Sequence, residues 1–196
     1  MLIGIVTAKF NSEITLELEK GAIRALKQSG LSENQIWSIY VPGAVEIPLA
    51  AKALFNKGCD AVITLGAVIR GETSHFDYVC QSVERGVTQL MLEVGKPIGF
   101  GVLTTENEDQ AFARTIGHHG NKGAEAAVTT LEMLSLLAEI KKGKPKSNSN
   151  SNSNSNSNSN SNSNSETKNS SNGKKVKLNK SKKLINKITK KEKSKK

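Results

Sequence analysis

Four apolar runs of strand length, each followed by a segment of helical period, constrain this chain more than any other feature. Strands separated by helices cannot be joined as tight hairpins. They run parallel, with right-handed crossovers that place helices on both faces of one sheet. The runs are residues 2–7, 35–41, 60–69 and 98–103. The third is apolar almost throughout, as in a strand buried on both faces. Residues 12–29 follow one helical face through Ile14, Leu18, Ala22, Ala25 and Leu26. Asn11 or Ser12 is placed to cap that helix and Gly30 to stop it. Residues 46–56 form a second helix, with Pro48 in its first turn, where a missing N–H is harmless. Residues 76–94 form a third. Thr105-Glu106-Asn107-Glu108 has capping-box spacing and opens a short helix to about Arg114. Beyond the glycines Gly117, Gly120 and Gly123, a last helix runs from about Gly123 to Lys141. The order β-α-β-α-β-α-β-α-α predicts an α/β unit of three layers, α/β/α, with a four-stranded parallel sheet.

That unit occupies residues 1–143. Its 13 Lys/Arg against 16 Asp/Glu leave it at −3, whereas residues 144–196 hold 15 Lys and 2 Glu, a charge of +13. The basic character of the chain therefore belongs to a tail, which excludes reading the folded part as a basic nucleic-acid-binding domain. Residues 147–164 are Ser-Asn repeated nine times. With no apolar side chains they cannot offset the entropy of ordering a backbone, so a disordered linker is expected. The Lys-rich stretch 174–196 is either a solvated tail or a basic amphipathic helix for RNA or another anionic partner. No apolar run is long enough to span a membrane. The first residues read as a strand rather than a signal peptide, which points to the cytosol. Cys59 and Cys80 have no metal-ligand spacing and read as two buried thiols.

In parallel sheets ligands bind outside the carboxyl ends of the strands, so the loops after the strands are the place to look. The loop after the third strand, Arg70-Gly71-Glu72-Thr73-Ser74-His75, enters a helix whose first N–H groups favour an anion such as phosphate. Gly71 permits close approach, and Thr73 and Ser74 add hydroxyls. His75 is the side chain suited to proton transfer near neutrality. The same residues also read as an N-cap cluster with an incidental histidine. Phe10 either stacks on a flat heterocycle or packs onto the following helix. Glu46 either accepts from a polyol or complements a helix dipole. Phe100, inside the fourth strand, reads as core. Arg114 can grip phosphate, and Lys122 can act as a point charge. The adjacent His118 and His119 point in different directions in most backbones and make a poor metal site. Neither Gly99-Phe100-Gly101 nor Gly120-Asn121-Lys122-Gly123 fits a nucleotide-binding fingerprint.

Together these segments resemble a known family. Lys9-Phe10-Asn11, Val41-Pro42-Gly43-Ala44-Val45-Glu46-Ile47-Pro48, Gly66-Ala67-Val68-Ile69-Arg70-Gly71-Glu72-Thr73-Ser74-His75-Phe76-Asp77-Tyr78-Val79, Phe100-Gly101-Val102-Leu103-Thr104-Thr105-Glu106-Asn107 and Gly120-Asn121-Lys122-Gly123 occur in this order. Over about residues 1–141 the chain resembles 6,7-dimethyl-8-ribityllumazine synthases, which act at the penultimate step of riboflavin biosynthesis. The resemblance implies a flavodoxin-like fold and the condensation of 5-amino-6-(D-ribitylamino)uracil with 3,4-dihydroxy-2-butanone 4-phosphate, with no cofactor or metal. It implies Phe10 on the pyrimidine ring, and Ala44, Val45 and Glu46 along the ribityl chain. Ala67, Val68 and Ile69 would bind the pyrimidine through backbone groups, and Gly71, Glu72 and Thr73 would line the phosphate site. His75 would transfer protons. Phe100, Arg114 and Lys122 resemble residues supplied by a neighbouring subunit, in a pentamer or a sixty-subunit shell. Glu72 stands where the family often has a small residue. Two rival readings remain: a related archaeal-type riboflavin synthase, and a shell or scaffold whose tail binds nucleic acid.

Overall fold

Ile3 and Ile5 point to one side of the first strand and Val6 and Ala8 to the other, and all four are buried. A strand apolar on both faces must be covered twice, and the rest of the architecture follows from that. A computed structural model of the chain describes residues 1–116 and 119–143; the expectations for residues 144–196 and for His118 lie outside the described residues. The elements are β1 (Ile3–Ala8), α1 (Ser12–Gln28), β2 (Ile36–Val41), α2 (Ile47–Asn56), β3 (Ala61–Ile69), α3 (His75–Val94), β4 (Ile98–Thr105), α4 (Glu108–Phe112) and α5 (Lys122–Lys141). A 3-10 turn over Glu33–Gln35, which the sequence pattern does not reveal, precedes β2.

The sheet is wholly parallel, in the order β2-β1-β3-β4. Helices α1 and α5 bury Leu18, Leu26, Ala127 and Leu131 on one face. Helices α2 and α3 bury Ile47, Leu54, Val83 and Val87 on the other. The three-layer expectation holds, and the order is that of a flavodoxin-like doubly wound sheet. From β1 the chain crosses to β2 on one side, then returns past β1 to β3 on the other. The carboxyl ends of β1 and β3 therefore open a crevice where the winding direction reverses.

Among the described glycines after β4, Gly123 serves packing. A Cβ on Gly123 would overlap the Leu18 carbonyl, and one on Gly21 would overlap the Asn121 side chain. Those absences let α1 and α5 approach closely. Asn121 closes the contact: its Oδ1 accepts from Ala124 N at 2.9 Å and its Nδ2 donates to Glu17 O at 2.8 Å. Gly99 similarly admits the Ala126 and Thr130 turn of α5 onto the sheet.

Several local expectations are corrected. Neither Asn11 nor Ser12 caps α1 through its side chain; Asn11 sits at N-cap with φ 56° and ψ 48°, and its amide is spent elsewhere. The cap of α4 is Asn107, whose Oδ1 accepts from Gln110 N at 2.9 Å. Thr105 is instead the last residue of β4. Phe100 is not core: it is 45 % exposed, because β4 is an edge strand and helix cover thins there. Cys59 is buried, but Cys80 is only half-buried.

Candidate active site

Each loop at the carboxyl edge is fixed by bonds to the next. Lys9 N donates to Val41 O at 2.8 Å and Phe10 N to Pro42 O at 3.1 Å, stitching the β1 and β2 loops together. Asn11 Nδ2 donates to Ala67 O at 2.9 Å, across to β3. Phe10 is thereby held on a rigid loop with its ring 70 % exposed. This is not a ring packed as a staple on α1. In the β2 loop, Glu46 Oε2 accepts from Gly43 N at 2.8 Å, closing the turn that enters α2. Glu46 precedes Pro48, in the first turn of that helix. In the β3 loop, Thr73 Oγ1 accepts a long bond from His75 N, 3.4 Å, and Asp77 N donates to Ser74 O at 3.0 Å. His75 is then the first residue of α3, a helix of 20 residues whose N-terminal N–H groups carry a partial positive charge.

These loops enclose a cleft of about 380 Å³. Phe10 lines one side, Gly43 to Glu46 a second, and Ala67 to Ile69 the floor. Gly71, Thr73 and His75 close the far side. Phe76 and Val79 also line the cleft, and the sequence reading does not single them out. Their signal is helical spacing: once His75 begins α3, residues three apart on its first turns face the same way. The space beside Gly71 is open, since a Cβ there would meet no protein atom within 4 Å.

The floor has one notable edge. The β1–β3 ladder ends at Thr7 opposite Leu65, so β3 runs four residues past its last pair with β1. Along a strand, backbone polar groups alternate between neighbours. Arg70 N bonds Thr105 O of β4, so even-numbered residues face β4 and odd-numbered ones face β1. On the open side Ala67 O is already taken by Asn11. The N–H and C=O of Ile69 face that edge beyond the end of β1.

The remaining candidates do not line this cleft within one protomer. Glu72 is exposed between two lining residues. Phe100 stands on the edge strand β4. Arg114 Nη1 donates to Gln110 O at 2.8 Å, and Lys122 Nζ pairs with Glu125 at 2.7 Å. Arg114 and Lys122 are nevertheless neighbours, because Lys122 N donates to Arg114 O at 2.9 Å. Arg70 is fully engaged: its guanidinium bonds Asp77 and Glu106, and these carboxylates hold it even more firmly protonated than usual, Asp77 contributing most. Among the described residues no three His, Cys, Asp or Glu side chains gather as metal ligands, and no helix is long and apolar enough to cross a membrane.

Residues 1–138 match the family model described as 6,7-dimethyl-8-ribityllumazine synthase. Curated proteins of that name are similar to the chain. One from Bdellovibrio bacteriovorus is 60 % identical over 138 residues, 70 % of this chain and 76 % of the relative. One from Cytophaga hutchinsonii is 51 % identical over 133 residues, covering 67 % and 84 %. One from Coxiella burnetii is 50 % identical over 140 residues, covering 71 % and 93 %.

Proposed function

Because the chain belongs to the 6,7-dimethyl-8-ribityllumazine synthase family, we propose that it condenses 5-amino-6-(D-ribitylamino)uracil with 3,4-dihydroxy-2-butanone 4-phosphate. The observation that supports this best is the cleft itself, which gathers Phe10, Glu46, Ile69, Thr73 and His75 from three loops far apart in sequence.

The chemistry needs little beyond placement and proton transfer. The 5-amino nitrogen attacks the ketone carbon, and loss of water gives an imine. A proton leaves carbon as the C–O bond to phosphate breaks. The enol left behind takes a proton at its terminal carbon and becomes a methyl ketone. The ribitylamino nitrogen attacks that new carbonyl, and a second water leaves as the ring closes. His75, at the cleft mouth, is the group that takes and returns protons. The N-terminus of α3, with Gly71 and Thr73, receives the leaving phosphate. Phe10 stacks on the pyrimidine, and Ile69 offers its edge an N–H and a C=O. Ala67 and Val68 form the apolar floor. Glu46 keeps one carboxylate oxygen for ribityl hydroxyls while the other holds Gly43, and Ala44 and Val45 wall the chain.

The family assembles as an oligomer, and the finer reading is a pentamer or sixty-subunit shell with shared sites. Three observations support it: Phe10 is open to solvent, Phe100, Arg114 and Lys122 lie outside the cleft of their own protomer, and Tyr78 and Leu92 are large apolar side chains left exposed on α3. On this reading a neighbour's Phe100, Arg114 and Lys122 complete each cleft, with Arg114 on the phosphate. Residues 1–143 act as one catalytic domain in the cytoplasm. Residues 144–196, at net +13, contact polyanions by charge alone, so their binding to RNA falls steeply with salt.

The test is direct. The chain is mixed with both substrates, lumazine absorbance and released phosphate are followed together, and assembly mass is measured in parallel. Equal amounts of lumazine and phosphate are expected. A well-folded oligomer that forms neither would end this reading.

A further inference from the structure

Arg70 lies in the loop that meets the cleft, yet the reaction as described gives it no part. It is the residue just after β3, and its N–H donates to Thr105 O at 2.9 Å, extending the β3–β4 ladder. Its guanidinium forks onto Asp77, with Nη2 3.1 Å from Oδ1 and Nη1 3.4 Å from Oδ2. Its Nε donates to Glu106 Oε2 at 2.7 Å. Its Cζ lies 4.1 Å from the centroid of the Phe76 ring, which lines the cleft. Asp77 is in the first turn of α3, two residues after His75. Glu106 belongs to the loop between β4 and α4, where its own N–H donates to Gln110 Oε1 at 3.1 Å. Gln110 in turn supplies the carbonyl that holds the Arg114 guanidinium.

We propose that Arg70 is a positioning residue for the condensation: it fixes the first turn of α3, and His75 with it, against the β4–α4 loop that leads to Arg114. Two carboxylates on separate elements repel unless a cation lies between them. A planar guanidinium can serve both at once while its face stacks on Phe76, which an ammonium cannot do. With both carboxylates satisfied, Arg70 is neutralised and does not bind the substrate phosphate. Its ion pairs are half-exposed and add little to stability. Their effect lies in geometry, to which proton transfer is far more sensitive than folding is. The inference rests on the catalytic reading of His75.

Arg70→Gln and Arg70→Lys are compared with the unaltered chain in three measurements. These are steady-state turnover, assembly mass, and the His75 ring signal in 1H–15N spectra, assigned against His75→Asn. Arg70→Gln is expected to lose about tenfold in kcat while KM for each substrate stays within about threefold, mass is unchanged and the His75 signal moves. Arg70→Lys is expected to recover part of that loss, because charge returns without the fork. If Arg70→Gln fails to assemble, Glu106→Gln removes one arm only and is expected to lower kcat about threefold with the same displacement of His75. An unmoved His75 signal overturns the proposal, whatever happens to kcat. So does a KM for the phosphate substrate that rises about tenfold at constant kcat, since that marks an anion ligand. Failure of the unaltered chain to form lumazine would refute the function alone, and the His75 signal would still decide the role of Arg70.

Discussion

Replacing Asn11 separates two contributions that the structure places on one residue. Asn11 is the one non-glycine with positive φ among the described residues, and its amide bonds Ala67 O at 2.9 Å. Asn11→Ala removes the donor and leaves a buried carbonyl without its partner, at about 1–3 kcal/mol. It also forces a Cβ without a compensating side chain into the left-handed region, at about 1–2 kcal/mol. Asn11→Gly has the first cost without the second, but adds about 0.5–1 kcal/mol of backbone entropy lost on folding. The alanine variant is therefore expected to lose about 2–5 kcal/mol, and the glycine variant about 1 kcal/mol less. Urea midpoints at one fixed protein concentration measure this, because association raises apparent stability by mass action. Both variants should also raise KM for the pyrimidine substrate, since Phe10 is carried by the same loop. An alanine variant as stable as the glycine variant would refute the backbone argument. Both variants within about 0.5 kcal/mol of the unaltered chain would refute the hydrogen-bond argument.

Other outcomes follow from single residues. His75→Ala should lower kcat about 10²-fold and leave the urea midpoint nearly unchanged, because His75 is exposed at the cleft mouth. Gly123→Ala should destabilise by at least about 1–3 kcal/mol, read by thermal unfolding, since its Cβ would meet the Leu18 backbone, which cannot move aside. Tyr40 donates to Glu19, itself only 4 % exposed on α1, and this bond raises the phenol above its usual 10.0. The folded state therefore holds that proton more tightly than the unfolded state. Stability from the pair is complete below pH about 10 and is lost as pH rises through the raised folded value. Tyr40→Phe should abolish that alkaline loss and cost about 1 kcal/mol near neutrality, checked by unfolding across pH 8–11.

Much of the fold is local and was therefore legible. The strand runs, the apolar face of α1, Pro48 and the terminating Gly30 each act over a few residues, and each states its element directly. The rule for parallel sheets pointed to the loops at the carboxyl ends of the strands, and Phe10, Glu46, Gly71, Thr73 and His75 do line the cleft there. Local chemistry left Phe10, Glu46 and His75 with two readings each, and only the family resemblance gave them roles. Where two residues compete for one role, the pattern is weaker. Asn11 has the spacing of a side-chain cap, but a carbonyl 56 residues away takes its amide. Thr105 has the spacing of a capping box, but β4 runs through it and passes the cap to Asn107.

The amino-acid order alone thus determined that this chain makes a parallel α/β sheet and that its carboxyl edge is the place to look for a site, because hydrophobic periodicity is short-range. Only the tertiary structure decided the order β2-β1-β3-β4, and with it the consequences for the site. That order brings the loops after β1, β2 and β3 around one cleft, leaves Ile69 on an edge that β1 does not reach, and puts Phe100 on the outside strand. It also sets Arg70 between Asp77 and Glu106, the second of them 36 residues away. Which strand pairs with which depends on burying two apolar faces at once, a balance over the whole chain that no window of sequence contains.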